Sequence, residues 1–145
     1  MAAPASVASD LRVVIGQLVR RLRAERRGLP LAQVMVLGRL DRTGPAGVSD
    51  LAAGERVRPQ SMAATVAALA DAGLVSRTPD PSDGRRVLIG LTPAGADALA
   101  ADRRRREDWL SDAIRRDLTV EERRTLVAAT ALLARIAASD GAARR

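Results

Sequence analysis

The chain contains no cysteine, no histidine, no tyrosine and no phenylalanine, and Trp109 is its single large aromatic. Without cysteine there is no disulfide and no thiol to sense oxidants. Without cysteine or histidine, the usual zinc cages are excluded too. Serine and threonine hydroxyls occur, but no histidine is present to activate one as a nucleophile. Lysine is also missing, so all 24 basic side chains are arginines. No apolar run approaches the roughly 18 residues that read as a membrane-crossing helix. The Ala/Ser-rich stretch 1–9 lacks the charged head and apolar core of a secretory leader. The expectation is a soluble, cytoplasmic chain with no membrane partner, no metal and no cofactor.

What remains is 145 residues, a single domain's worth, with 24 basic against 17 acidic side chains and a net charge of +7. A basic chain favours a polyanionic partner. The excess is uneven. Residues 1–48 carry +5 and residues 96–145 carry +2, whereas residues 49–95 hold five arginines against five acids. Any polyanion-binding face within 49–95 must therefore be polarised, with its acids turned elsewhere.

Periodicity divides the chain into eight elements. Leu11, Val14, Ile15, Leu18, Val19 and Leu22 line one face of a first helix, with Arg20, Arg21, Arg23, Arg26 and Arg27 crowding its end and Gly28 stopping it. Leu31, Val34, Val36, Leu37 and Leu40 mark a second, broken by Thr43-Gly44-Pro45. Ser49 is expected to cap a short third helix running through Glu55. Pro59 suits the first position of a fourth, whose inward face is Met62, Val66 and Leu69 and whose end is Gly73. Met35 and Met62 both read as core.

Residues 74–78 and 87–91 read as two strands around a turn of Pro79-Asp80-Pro81-Ser82-Asp83-Gly84. Thr92 and Pro93 restart a helix that reaches about residue 117. Thr119 with Glu122 forms a capping box for a last one carrying Leu126, Ala129, Leu133 and Ile136. The expected class is mainly α with a small β-hairpin, a winged helix-turn-helix flanked by dimerisation helices. One domain spans 1–145. Its reading module lies at about 30–95, and the flanking helices at about 7–28 and 93–138. With one large aromatic in the chain, the leftover apolar stripes are most economically covered by a second copy, giving a two-fold homodimer.

A charged hairpin directly after a short amphipathic helix is the shape of a wing beside a recognition helix. The chain resembles the MarR (multiple antibiotic resistance regulator) family of winged-helix repressors over essentially its whole length. The resemblance rests on Leu29-Pro30-Leu31-Ala32-Gln33, Val48-Ser49-Asp50-Leu51-Ala52, Leu69 with Gly73-Leu74-Val75-Ser76-Arg77, Asp83-Gly84-Arg85-Arg86, and Leu91-Thr92-Pro93-Ala94-Gly95, in that order. It implies a dimer bound to a pseudo-palindromic double-stranded operator and, often, a response to a small-molecule effector. Ser49 would then lie near the sugar-phosphate backbone. The effector pocket implied lies between dimer helices and reading module, with Arg12, Arg20 and Trp109 as candidate lining groups.

Candidate DNA contacts follow from residue type and place. Arg85 at the wing tip can enter a narrow minor groove, where the potential is most negative. Arg86 is read either as a phosphate contact or as a partner of Asp83, and Arg77 as structural or phosphate-directed. Asp83 and Gly84 shape the turn. Gln60 and Ser61 occupy a first helical turn, where side chains reach base edges and amides face phosphate. Family members often carry a polar or basic residue in mid-recognition helix, where this chain has Ala63-Ala64. Base contacts are therefore expected to concentrate in Arg58, Gln60, Ser61 and Thr65, with Arg56 adding charge.

Two other functions compete. A winged-helix module for nonspecific nucleoid packaging or protein contact would bind without operator preference. An enzyme would need more than Asp80 and Asp83, the paired acids of one loop. Nothing beside them supplies a base active near neutral pH, a metal cage or a phosphate-binding glycine loop.

Overall fold

Apolar residues three and four apart on short helices, and alternating residues on two strands, converge on one core. The computed structural model describes residues 3–25 and 28–139. In chain order its elements are α1 (Pro4–Ala24), α2 (Leu31–Thr43), α3 (Val48–Glu55), α4 (Pro59–Asp71), β1 (Val75–Pro79), β2 (Val87–Leu91), α5 (Pro93–Asp117) and α6 (Val120–Ala138). The strands pair antiparallel, Val75 opposite Leu91 and Pro79 opposite Val87. The class is mainly α with a small β-hairpin, as the periodicity indicated.

The chain forms two compact units, Met1–Glu107 and Asp108–Arg145. The core lies in the first. Val36, Leu37 and Leu40 of α2 meet Leu51 of α3, Met62, Val66 and Leu69 of α4, and Val75 and Ile89 of the hairpin. Leu99 of α5 joins the same cluster. Fully burying each of these aliphatic side chains contributes about 1.5–3 kcal/mol relative to leaving it exposed. That packing, more than helix propensity, holds helices as short as α3 in place.

Backbone chemistry sets the element ends. Gly73 takes φ +72 just beyond α4, in the left-handed region that favours glycine. The Thr92 hydroxyl donates to the Gly73 carbonyl at 2.7 Å and accepts from the Gly95 amide at 3.0 Å, capping α5 and tying it to the end of α4. Gly95 is fixed by space: a Cβ there would collide with the Leu74 carbonyl oxygen.

Four local expectations are corrected. α1 begins at Pro4 and is capped at Glu25, so Gly28, at φ +142, lies beyond its end and does not stop it. Arg26 and Arg27 lie outside the described residues. Ser49 is not the cap of α3. The cap is Gly47, two residues earlier, with no side-chain bond. The reason is tertiary: Ala46 exchanges backbone hydrogen bonds of 3.0 and 2.8 Å with Ile89, which holds Ala46 extended and starts the helix right after it. β1 runs one residue later than expected, ending at Pro79. Met62 is buried, but Met35 is 43% exposed and not core.

The second unit is built on the capping box read from sequence. The Thr119 hydroxyl accepts from the Glu122 amide, and Glu122 Oε2 accepts from the Thr119 amide at 2.8 Å. Arg123 closes the preceding helix end, donating to the carbonyls of Leu118 and Arg115 at 3.1 and 2.7 Å. No residue of α6 is buried in the single chain, and the same holds for α1 in the first unit. Leu126, Ala129 and Leu133 are half-buried, while Val127, Leu132 and Ile136 are more than half exposed.

Candidate nucleic-acid interface

The start of α4 carries most of the base-reading candidates. Arg58 is its N-cap in extended conformation and Pro59 its first residue, as the proline rule predicts. Arg56, Arg58, Gln60 and Ser61 are all exposed. Thr65 is half-buried, and its hydroxyl donates to the Ser61 carbonyl at 3.1 Å. That donor is spent inside the helix, leaving Thr65 only lone pairs and a methyl group to offer a base. Arg56 takes φ 54 and ψ 42, a left-handed conformation uncommon outside glycine, in the turn joining α3 to α4. Ala63 and Ala64 are exposed and reach no further than a methyl group.

The hairpin loop is held by its own acids. Asp80 Oδ1 accepts from the Ser82 amide at 2.9 Å and the Ser82 hydroxyl at 2.7 Å. Those bonds keep its carboxyl below the ordinary aspartate value. Asp83 Oδ1 accepts from the Arg85 amide at 3.1 Å, the turn-shaping role expected of it. Gly84 does less than expected: its φ is not left-handed, and a Cβ there would meet nothing within 4 Å.

Arg86 does not pair with Asp83 through its side chain; only the Arg86 amide does, donating to the Asp83 carbonyl. Its guanidinium pairs instead with Asp50 of α3, Nη2 to Oδ2 at 2.7 Å. Arg85 stays exposed at the loop, and Arg77 is exposed on β1 opposite Ile89. Ser49 is exposed in the first turn of α3 and shares a cavity with Asp50 and Arg86.

This arrangement answers the puzzle of a neutral reading module. Of its five acids, Asp50 is ion-paired, Asp80 and Asp83 accept turn hydrogen bonds, and Glu55 is half-buried. Asp71 ends α4, roughly 18 Å of helix from the reading turn. Asp50, Asp71 and Asp83 stay exposed, so pairing and placement, not burial, separate them from the arginines.

A second feature was not legible in sequence. Arg42, Arg103 and Arg106 join Glu55, Val34 and Leu99 around a cavity of about 290 Å³ within the first unit. Arg103 bonds Asp41 at 3.0 Å, and Arg106 lies 2.8 Å from the buried Asp102 on its own helix. Spacing of three puts Arg103 and Arg106 on one helix face, but only the fold brings Arg42 to them. Arg12 and Arg20 are exposed on α1 and Trp109 is half-buried on α5; none of the three lines this cavity.

A short helix with an exposed, arginine-capped first turn, followed by a hairpin with an arginine at its loop, is a winged helix-turn-helix module. Residues 29–87 match the MarR family model. A helix-turn-helix transcriptional regulator of Mycobacterium bovis is 42% identical over 110 residues, covering 74% of this chain and 77% of that protein. The crystal structure of a Pseudomonas aeruginosa transcriptional regulator superposes with a TM-score of 0.82 at 38% identity, over 93% of this chain and 96% of that one. Bordetella bronchiseptica BpsR shares the fold, with a TM-score of 0.61 at 24% identity over 92% of this chain and 94% of its own. The chain belongs to the MarR family of DNA-binding transcriptional regulators, and it is not an enzyme.

Proposed function

We propose that the protein is a cytoplasmic homodimeric repressor of a pseudo-palindromic operator, released by a small anionic ligand. The observation that carries the DNA-reading role is the exposed set Arg56, Arg58, Gln60 and Ser61 together with a loop whose acids are all engaged and whose Arg85 side chain is exposed with no partner among the described residues. In this reading α4 enters the major groove with its first turn foremost, and Arg85 reaches the neighbouring minor groove. Arg77 and the first turn of α3, with Ser49, meet phosphate. Binding of this kind covers the duplex and blocks its use by polymerase.

Apolar side chains support the dimer. Val7, Val14, Ile15 and Leu18 of α1 are 43–50% exposed, and Val127, Leu132 and Ile136 of α6 are 55–71% exposed. Stripes of this size call for a partner surface, and a second copy offers the same ones. Half-sites one duplex turn apart, about 34–36 Å, then match the two-fold symmetry. Among the described residues no helix is long and apolar enough to cross a membrane.

The ligand proposal rests on the arginine-lined cavity. A carboxylate or similar head would meet Arg42 and Arg106, and an apolar body would lie on Val34 and Leu99. BpsR offers a parallel, being a relative in fold whose DNA binding is regulated by 6-hydroxynicotinic acid. Release requires the ligand to bind better to dimer geometries that misfit the half-site spacing. The exposed Ala63 and Ala64 favour a second reading, nonspecific packaging of DNA. Selection of bound fragments from the source genome decides between them: one enriched inverted repeat supports the repressor, whereas even recovery across the genome supports packaging.

A further inference from the structure

Asp50 is the third residue of α3, where an acid commonly bonds the cap residue's amide. Here the cap is Gly47, and the carboxylate turns instead to Arg86, 36 positions along the chain. Arg86 is fixed through its backbone as well: its amide donates to the Asp83 carbonyl and its carbonyl accepts from the Asp80 amide, both at 2.9 Å. Space is reserved for this side chain, since a Cβ at Gly47 would lie 3.1 Å from Arg86 Nη2. The hairpin itself is two five-residue strands, a unit that is marginal when isolated. Besides its own ladder and the Ala46–Ile89 bridge, the Asp50–Arg86 pair ties its loop end to the helix-turn-helix.

We infer that Asp50 is a positioning residue for DNA binding: by holding the Arg86 guanidinium it fixes the wing against α3, so that Arg85 is carried in register with the first turn of α4. This rests on the DNA-reading role proposed above. The side chains of the pair are 62% and 49% exposed, so the link is of small worth to global stability. Its consequence is placement. Arg86 then acts through Asp50, using one Nη2 bond of a guanidinium whose side chain stays 49% exposed.

The inference sets two effects in opposition. Asp50→Asn removes a negative charge from a protein that binds a polyanion, and by charge alone it should tighten binding. Loss of the clamp should weaken it. The test uses the full chain and a duplex selected from a random-sequence library with the unaltered protein. Asp50→Asn and Arg86→Gln should each weaken binding several-fold, and the double variant should be no weaker than the weaker single, as expected of two groups acting as one unit. Asp50→Glu, which keeps the charge one methylene further out, should recover part of the loss. The thermal midpoint should stay within about 4 °C of the unaltered protein.

A second readout needs no DNA. Amide exchange at Asp80, Arg85 and Arg86 should quicken in Asp50→Asn and be slowed again in Asp50→Glu. Equal or tighter duplex binding by Asp50→Asn, or unchanged exchange in the wing, overturns the clamp. Failure of the unaltered protein to select any preferred duplex would defeat the operator reading instead, and the exchange comparison would still decide the clamp.

Discussion

Arg56 occupies a backbone conformation that a side chain with a Cβ adopts at a cost of about 1–2 kcal/mol. Arg56→Gly should relieve that strain, leaving stability equal or higher by up to about 1 kcal/mol, while DNA affinity falls through loss of a cation. Denaturant midpoints and gel-shift titrations on one preparation separate the two effects; a fall in both would show that Arg56 serves the fold. Glycines at two other positions should behave oppositely. Gly95→Ala forces a Cβ into the Leu74 carbonyl and is expected to destabilise by about 1–3 kcal/mol or more, whereas Gly84→Ala should be nearly silent. Arg85→Ala should cost operator binding more than about 1 kcal/mol, with the dimer unchanged by light scattering. At this scale sequence showed residue types and local turn chemistry well: Pro59, Gly73, Thr92 and Asp83 stand where expected. It could not show that Arg86 meets Asp50, because no local spacing joins residues that far apart. Nor could it show that the Thr65 hydroxyl is used within its own helix.

Elements were legible wherever their end signals are local. The Thr119–Glu122 box is the clearest case, and Thr119→Ala should cost about 1 kcal/mol, read from the shift in thermal midpoint. Glu122 is held below its ordinary value of 4.5 by the amide and hydroxyl of Thr119. A depressed carboxyl stabilises fully above its unfolded value and loses that contribution as pH falls through the folded one. Acid titration below pH 4.5 should therefore loosen the start of α6, and Thr119→Ala should blunt that dependence. Asp80 follows the same sign in the wing, where bonds from Ser82 depress its carboxyl below 3.8. The start of α3 was misplaced because a bridge from Ala46 to Ile89, remote in sequence, decides it. Ion pairs on α5 separate by burial. Losing Arg106 strands the buried Asp102 carboxylate and should cost about 3 kcal/mol, whereas Arg103→Ala, breaking a half-exposed pair with Asp41, should cost under about 1 kcal/mol.

Across the whole molecule, the order of helices and strands was readable because each break but one has a glycine or proline in or beside it, and the break between α5 and α6 has the Thr119–Glu122 capping box. The arginine-lined cavity was not, since Arg42, Glu55 and Arg106 come from three helices that only the packed core assembles. The proposed dimer is testable at this scale. Replacing Val14 and Leu18 of α1 by glutamate places charges in an exposed apolar stripe and should convert the dimer to monomer in sedimentation equilibrium. Operator affinity should then fall far more than it does for Arg85→Ala. Monomeric behaviour of the unaltered chain would defeat the two-fold reading.

The engaged carboxylates of the loop carry one last implication. Summed over its side chains, the stretch from Ser49 to Gly95 is electrically balanced, and a dye or column that measured only that sum would find little to attract a nucleic acid. Asp80 and Asp83 are folded into turns and Asp50 is paired with Arg86, so attraction here depends on where charge points and not on how much there is. Acid strong enough to protonate Asp80, below its ordinary value of 3.8, should loosen its turn and blur that orientation.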